Sequence, residues 1–537
     1  MKKKRVLSMM LASIMIVGAF TACAPTVQHP GAPPPAATAT PVTPAPTAPV
    51  TAPEPQTAAQ GPYGRLVLAT ANETPSVAPG RTNAAAAAYK IHMVHDALFR
   101  KNYSDLEPVP NLVSSWQAIS DTRFEFTIYQ GIIFHNGEEL TAYDIIASWD
   151  YVRNYPDTRA NRESIVEFGI IDRYTIWIDT EEPNSLLLSH LTHHGNVIMP
   201  KSLIESGHDF TANPIGSGPF VFEEWRLGDS LHFSAFDNYF CDERAAKVET
   251  VTWRIIPEGS SRTIALETGE VDYVVYVAFS DIQRLKDHPD IEVLTVASTG
   301  HNNLQLNNEA EQFSNIVVRQ AINMAVDREA LVIAGFNGFA IPTAAQIPTV
   351  FVGATYEGTL PFDPDAARAL LAEHNIDPES LAFEIIASNE ERRRMGEVVQ
   401  ANLADIGIPV SIVMMDLATT LATTGVGGWY EAAFGGFTAP TLVGQMRGVL
   451  FYDPERVNRG RINNPELNEL ILRAIGTIDA DARIPILEEA SRVANEHMGH
   501  VPTHLSMLVQ AFNSNLVVPE LSATADLNLN MIFWNNR

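Results

Sequence analysis

The stretch GIIFHNGEELTAYD, residues 131–144, packs a strand end, a tight turn and a helix start into one short segment. Ile132, Ile133 and Phe134 favour extended backbone, and Asn136-Gly137 is the pair that most readily accepts a positive φ, so the chain turns there. Thr141 has the side chain of an N-cap. Asp144 follows three residues later, where a carboxylate reaches back to the cap and meets the positive end of the helix dipole. Just upstream, residues 124–129 read as a strand, and residues 142–152 downstream have helical spacing. Strand, turn and capped helix in succession point to an α/β protein, and the segment is structural, with no ligand contact assigned to it.

Working outward, the same alternation continues. Residues 65–71 read as a strand and residues 84–98 as a helix. Residues 175–179, and residues 251–256 around Trp253, alternate apolar and polar side chains as half-buried strands do. Between residues 317 and 334, Val318, Ile322, Ala325 and Leu331 fall near helical spacing, as do residues 366–372 and 397–403. No internal repeat is visible. From Gly64 to Arg537 the composition is that of a globular body, too long for a single core, which predicts two or three lobes.

The amino end sets the compartment. Lys2, Lys3, Lys4 and Arg5 precede an apolar run over residues 6–20 that is too short to span a bilayer comfortably. Small residues then lead to Cys23, which is expected to be the lipidated first residue of the mature chain, residues 1–22 being the signal peptide. Residues 23–63, rich in Pro, Ala and Thr, cannot bury enough surface to order themselves and form a linker biased toward extended polyproline II. With Cys23 lipidated, Cys241 has no partner and no disulfide is expected. The formal charge of −27 becomes about −31 once the four basic residues of the signal are removed, which argues against a nucleic-acid partner and broad adhesion to anionic lipid. A diacylglyceryl group supplies a lasting anchor where one acyl chain would not.

The chain contains no Gly-x-Ser-x-Gly elbow, no phosphate-binding Gly-x-x-x-x-Gly-Lys-Ser/Thr loop and no His-Glu-x-x-His helix. His92 with His95, and the run His190, His193 and His194, are the nearest things to a metal site. Neither shows a full ligand set, so solvated or capping histidines are the preferred reading. No catalytic residue, metal or cofactor is assigned.

Three segments in a fixed order resemble extracellular solute-binding protein family 5, the binders of dipeptides, oligopeptides and nickel that serve bacterial ABC importers. The first covers residues 107–150, with Pro108 to Trp116, Phe124 to Ile128, and Phe134, His135, Asn136, Gly137, Glu138, Leu140, Thr141, Ala142 and Asp144 in place. The second is residues 214–225, with Gly216, Ser217, Gly218, Pro219 and Phe220. The third is Asn307 followed by Val318, Arg319, Gln320, Ala321, Ile322, Ala325, Asp327, Arg328 and Ala330. The resemblance implies an α/β, periplasmic-binding-protein-like clamshell of two lobes with an extra subdomain, closing over its ligand. It places an N-terminal lobe at 64–300 with an inserted subdomain at about 106–212, a second lobe at 301–508, and a tail at 509–537 returning to the first lobe. Gly216, Gly218 and Pro219 are expected to give the backbone freedom where the chain passes between lobes.

By the same resemblance the chain is a monomeric, non-enzymatic receptor for peptides or similar oligomeric solutes. It would be lipid-anchored outside the cell membrane, with permease and ATPase subunits as partners. An oligosaccharide receptor, or an exported sensor or enzyme on the same lobes, is the alternative. Peptide binders of the family hold the ligand's α-ammonium with an aspartate in a segment that corresponds here to residues 433–441, where no Asp or Glu follows Glu431. A buried ammonium without a counter-charge costs several kcal/mol, so a free amino terminus should be held poorly unless another acid substitutes. Glu73 and Glu431 are the nearest such acids in sequence. Trp429, Tyr430, Phe437 and Thr438 flank the segment as candidate ligand contacts, with core packing the competing role for the aromatics. His301, Asn302 and Asn303 lie near the expected passage between lobes, with turn formation as the alternative. Asn72, Glu73 and Thr74 follow the first strand, where open sheets bind ligands, or are a plain loop.

Overall fold

The computed structural model describes residues 61–535, apart from residues 83, 154, 157, 159–161, 163, 453–457, 520, 525 and 526. Cys23, the signal segment and most of the linker lie outside the described residues.

An eleven-stranded sheet runs through both lobes. Numbered along the chain, its strands are β1 (Arg65–Thr70), β2 (Phe220–Arg226), β3 (Ser230–Ala235), β4 (Thr250–Ile255), β5 (Tyr273–Val274), β6 (Ile291–Leu306), β7 (Ala340–Pro342), β8 (Phe383–Ala387), β9 (Val410–Met414), β10 (Ala432–Phe437) and β11 (His500–Asn513). The spatial order is β9-β8-β10-β6-β11-β5-β1-β4-β3-β2, with β7 paired to β11. In the first lobe β1 runs parallel to both β4 and β5. Its residues are buried except Arg65, as in a strand covered on both faces. In the second lobe β8 runs parallel to β9 and β10. The halves are joined by β6 and β11, an antiparallel pair of 16 and 14 residues whose register breaks between Ala297 and His301. Chain passage between the lobes therefore runs along these two strands, with the ladder interrupted midway.

Each lobe has its own core. Leu66, Val94, Phe220, Trp253 and Tyr273 pack in the first, together with Phe512, Leu529 and Ile532 from the C-terminal segment. Trp534 donates its indole N–H to the Arg65 carbonyl at 2.8 Å, stitching the tail to β1. Leu304, Phe313, Ile322, Phe383 and Phe434 centre the second core. A four-stranded antiparallel sheet (Val113–Ala118, Arg123–Ile128, Ile165–Asp172, Thr175–Thr180) and the helix Ala142–Val152 form the subdomain around Phe126, Phe134 and Trp149. Among the described residues no helix is long and apolar enough to cross a membrane.

Residues 131–144 adopt the predicted strand end, turn and capped helix. Gly137 has φ +87° and donates to the Phe134 carbonyl at 2.8 Å. Asp144 accepts from Thr141 N at 2.8 Å and Thr141 Oγ1 at 2.7 Å, and also from Lys201 N at 2.8 Å. The stretch then docks on the second family-like segment, since His135 N donates to the Gly216 carbonyl at 2.9 Å and its Nε2 meets the Gly218 carbonyl at 2.9 Å.

That contact explains Gly216 and Gly218 differently from the sequence expectation. They stand where the subdomain rejoins the first lobe, away from the β6–β11 passage, and neither has a positive φ. Proximity is what requires glycine: a Cβ on Gly216 would meet the Val94 carbonyl oxygen at 2.3 Å, and one on Gly218 the Met93 oxygen at 2.5 Å. Two helices also differ from expectation. The first spans only Ala85–Val94, because His95 turns extended and Asp96 is drawn inward onto donors from Asn111, Ser217 and Tyr239. Residues 317–334 form two helices, Ile316–Ala325 and Arg328–Phe336, with Asp327 capping the second through Ala330 N at 3.0 Å.

Candidate functional site

The carboxyl ends of the parallel strands β8 and β10 face the same way, and the helix Glu390–Asp405 starts just beyond β8. Open α/β sheets bind ligands at such an edge. A cavity of about 270 Å³ opens there, lined by Asn302, Asn303, Arg392, Gly435 and His504, with Phe279 contributed by the first lobe.

The floor is two glycines with a stated steric cause. Gly435 and Gly436 pair across the ladder with Asn303 and Asn302. A Cβ on Gly435 would meet Gln305 Nε2 at 2.4 Å, and one on Gly436 would meet Asn302 Oδ1 at 2.5 Å. Side chains of β6 lie across this part of β10, so a larger residue there would have to displace them.

Asn303 is the most telling polar group. It is 1% exposed, and neither its Oδ1 nor its Nδ2 has a partner within the protein. A buried amide left unpaired costs about 1–3 kcal/mol, which a ligand offering one donor and one acceptor recovers. Asn302 is committed on one side, donating to Ser506 Oγ at 2.9 Å. His504 is buried, its Nδ1 3.0 Å from Thr503 Oγ1 and its ring centroid 4.4 Å from that of Phe336. Burial first, and then His301, lower its pKa to about 3, so it is a neutral imidazole at physiological pH.

Arg392 supplies the charge. It lies in the first turn of Glu390–Asp405, where its backbone N–H donates to the N-cap Asn389 at 2.9 Å, and its guanidinium donates to Ser388 Oγ. Burial holds the guanidinium below its usual range, with the neighbouring Glu391 opposing the shift. Among the described residues no carboxylate pairs with it. A guanidinium beside the positive end of a sixteen-residue helix is suited to a carboxylate.

The sequence candidates divide sharply. Asn302 and Asn303 line the cavity. Phe437 and Thr438 end β10 on the same side, with Phe437 paired to His301 and Thr438 Oγ1 3.3 Å from where a Cβ on Gly300 would sit. His301 is buried and turned onto the Ala345 carbonyl at 2.9 Å, its pKa lowered to about 4 by burial. Trp429, 61% exposed, and Tyr430, 4% exposed, precede β10 at its opposite end, with the Tyr430 hydroxyl bonded to the Arg459 carbonyl. In the first lobe Asn72 is exposed, Thr74 donates to the Ser76 carbonyl at 2.9 Å, and Glu73 accepts from Trp225 Nε1 and Gly228 N, both at 2.9 Å. Glu431 is equally engaged, by Gln312 Nε2 at 3.0 Å and Glu384 N at 2.7 Å. The carboxylate residue among the cavity's lining is Glu391.

Sequence reading missed Arg392, His504 and Glu391. Residues 390–394, EERRR, carry no local sign of a site, because the helical turn sends the arginines three ways. Arg393 pairs with Glu390 and Glu397 outside, Arg394 holds the carbonyls of Ala334 and Gly335, and Arg392 faces the cavity. The His193 and His194 rings lie 4.1 Å apart and tilted, with His92 6.4 Å from His194, and among the described residues no three His, Cys, Asp or Glu side chains are placed to hold a metal.

Comparison with known proteins adds the lineage. The family described as bacterial extracellular solute-binding proteins, family 5 Middle, matches residues 107–456. The glutathione-binding protein GsiB of Salmonella paratyphi A is 25% identical over 426 residues, 76% of this chain and 83% of that protein. HbpA2 from Haemophilus parasuis superposes with a TM-score of 0.79 at 22% identity, over 88% of this chain and 100% of the other. The ABC transporter-associated periplasmic binding protein DppA from Helicobacter pylori, in complex with the peptide STSA, gives 0.73 at 22% identity over 88% and 98%.

Proposed function

The chain belongs to the bacterial extracellular solute-binding proteins, family 5, and from that premise we propose that it is the capture component of an ABC importer. It binds a peptide or similar oligomeric solute at the β8–β10 edge and passes it unmodified to a membrane permease. Cys23 carries the lipid that tethers it outside the cell membrane. A relative named for glutathione binding and a fold neighbour complexed with a peptide support this ligand class.

The observation that carries the reading is the pairing, in one cavity, of a guanidinium with no carboxylate partner among the described residues and the buried amide of Asn303, likewise without a partner among them. Arg392 takes the ligand's carboxylate, Asn303 pairs with its backbone, and Asn302 and Thr438 flank the path. With no acid in residues 433–441, and with Glu73 and Glu431 already bonded, recognition is led by the carboxyl end at Arg392, and Glu391 is the lining carboxylate placed to meet an amino terminus.

Calorimetry with glutathione and STSA, each compared with its C-terminal amide and N-acetyl form, tests this. Amidation should weaken binding at least about 30-fold, or about 2 kcal/mol, because it leaves Arg392 desolvated and unpaired. If instead acetylation removes about a hundredfold and amidation almost nothing, the polarity proposed here is reversed.

A further inference from the structure

A second cavity, of about 130 Å³, lies in the first lobe and shares no lining residue with the cleft site. It is enclosed by the end of the helix Ala85–Val94, the edge of the subdomain and residues 527–530 of the tail. Phe99 and Phe220, both buried, form apolar wall, and Arg100, Arg244 and Asp96 form the polar one.

The charges there do not balance. Asp96, 5% exposed, already accepts from Asn111 Nδ2 at 2.9 Å, Ser217 Oγ at 3.1 Å and the Tyr239 hydroxyl at 3.2 Å. Arg244 is hydrogen-bonded to neutral partners, Asn111 Oδ1 and the Cys241 sulfur, the latter at 3.3 Å, and Asp96 is near enough to act on its charge. Arg100 has a buried Nε without any acceptor, and His95, fully buried on the same wall, has an unpartnered Nε2. The Arg100 guanidinium is held below its usual range by burial and by Arg244 nearby. Two guanidiniums thus share one space with a single carboxyl whose bonds are already taken. A planar fork of N–H donors facing a partly desolvated space matches the oxygens of a carboxylate or phosphate.

We propose that this cavity is a second ligand site, which binds a small oxyanion between Arg100 and Arg244 independently of the transported solute. Because its walls come from the first helix, the subdomain and the tail, the anion ties three segments together and stabilises the folded lobe by mass action.

The test is calorimetric titration of the full chain, at constant ionic strength, with inorganic phosphate in one arm and succinate in the other; the tighter of the two identifies the source chemistry. Read in the Arg392→Gln background, so that carboxylate binding at the cleft does not contribute, a one-site isotherm is expected that Arg100→Gln weakens at least about tenfold. Because Arg244 also positions Asn111, Arg100→Lys is the second variant: it keeps the charge, lacks the fork and should fall between wild type and Arg100→Gln. A selenate soak located by anomalous scattering should place the ion against Arg100 without recourse to any variant. No saturable heat with either anion, or an isotherm abolished by Arg392→Gln and untouched by Arg100→Gln, overturns the proposal.

Discussion

Acidification should destabilise this protein before most of its carboxylates titrate. Four histidines, His95, His301, His500 and His504, are at most 3% exposed. Burial is the main cause that lowers their pKa values from the usual 6.5, to about 3, 4, 3 and 3, and the His301 ring adds to the shift of His500 and His504. The folded state keeps these rings neutral while the unfolded chain protonates below pH 6.5. Their contribution is therefore complete above about 6.5, declines as pH falls, and is fully lost only near the folded values of 3–4. One pH unit below 6.5 each ring removes about 1.4 kcal/mol, so four set a ceiling of about 6 kcal/mol. Asp96, whose pKa burial raises, acts with the opposite sign, because the fold takes up its proton more readily. The net expectation between about pH 7.5 and pH 5.5 is a loss of at least about 2 kcal/mol, a large share of ordinary stability. Urea unfolding followed by tryptophan fluorescence at stepped pH measures it, and His500→Asn, whose ring nitrogens have no side-chain partner to lose, should reduce the slope by one proton. A stability that is flat or rising across that range would refute the assignment of these rings as neutral and buried.

Gly435→Ala should lower stability by about 1–3 kcal/mol and abolish solute binding, since its Cβ would enter Gln305 at 2.4 Å; thermal melting and calorimetry read the two effects. Glu73→Gln should leave solute affinity unchanged while lowering stability by about 1 kcal/mol, because its carboxylate serves Trp225 and Gly228; a tenfold loss of affinity would return it to the ligand site. Cys23→Ser should abolish incorporation of labelled fatty acid and move the protein to the soluble fraction, and continued membrane retention with label would exclude the anchor.

How far the fold was legible depends on how local its causes are. Residues 131–144 carry most of their own instructions: Gly137 needs its positive φ, Thr141 and Asp144 cap the helix through each other with Lys201 N added by the fold, and the segment forms as read. The helix begun at Ala85 ends four residues before the apolar spacing does, because His95 turns extended and Asp96 is recruited by Asn111, Ser217 and Tyr239 from elsewhere in the chain. The passage between lobes was legible only in part, since residues 301–303 lie beside the break in β6 while the role read for two glycines fails for a related reason. Gly216 and Gly218 look like a hinge when glycine is read as freedom, yet here glycine answers crowding by the helix end at Met93 and Val94.

The site shows the same division more sharply. An expected acid is missing from residues 433–441, and sequence comparison makes that loss visible; it cannot show that Asn302 and Gln305 cross over Gly435 and Gly436, where a side chain would have to displace them. Nor can it distinguish Arg392 from its two neighbours, since only the helical phase set by Asn389 turns one of three arginines into the cavity while the others meet Glu390, Glu397 and two carbonyls. Asn303 was nominated for its place in the chain, yet its weight as a candidate comes from something no pattern encodes: both polar atoms of a buried amide left without a partner inside the protein. A binding protein must keep such groups unsatisfied until its solute arrives, so the residues that matter most to capture are those whose local sequence explains them least.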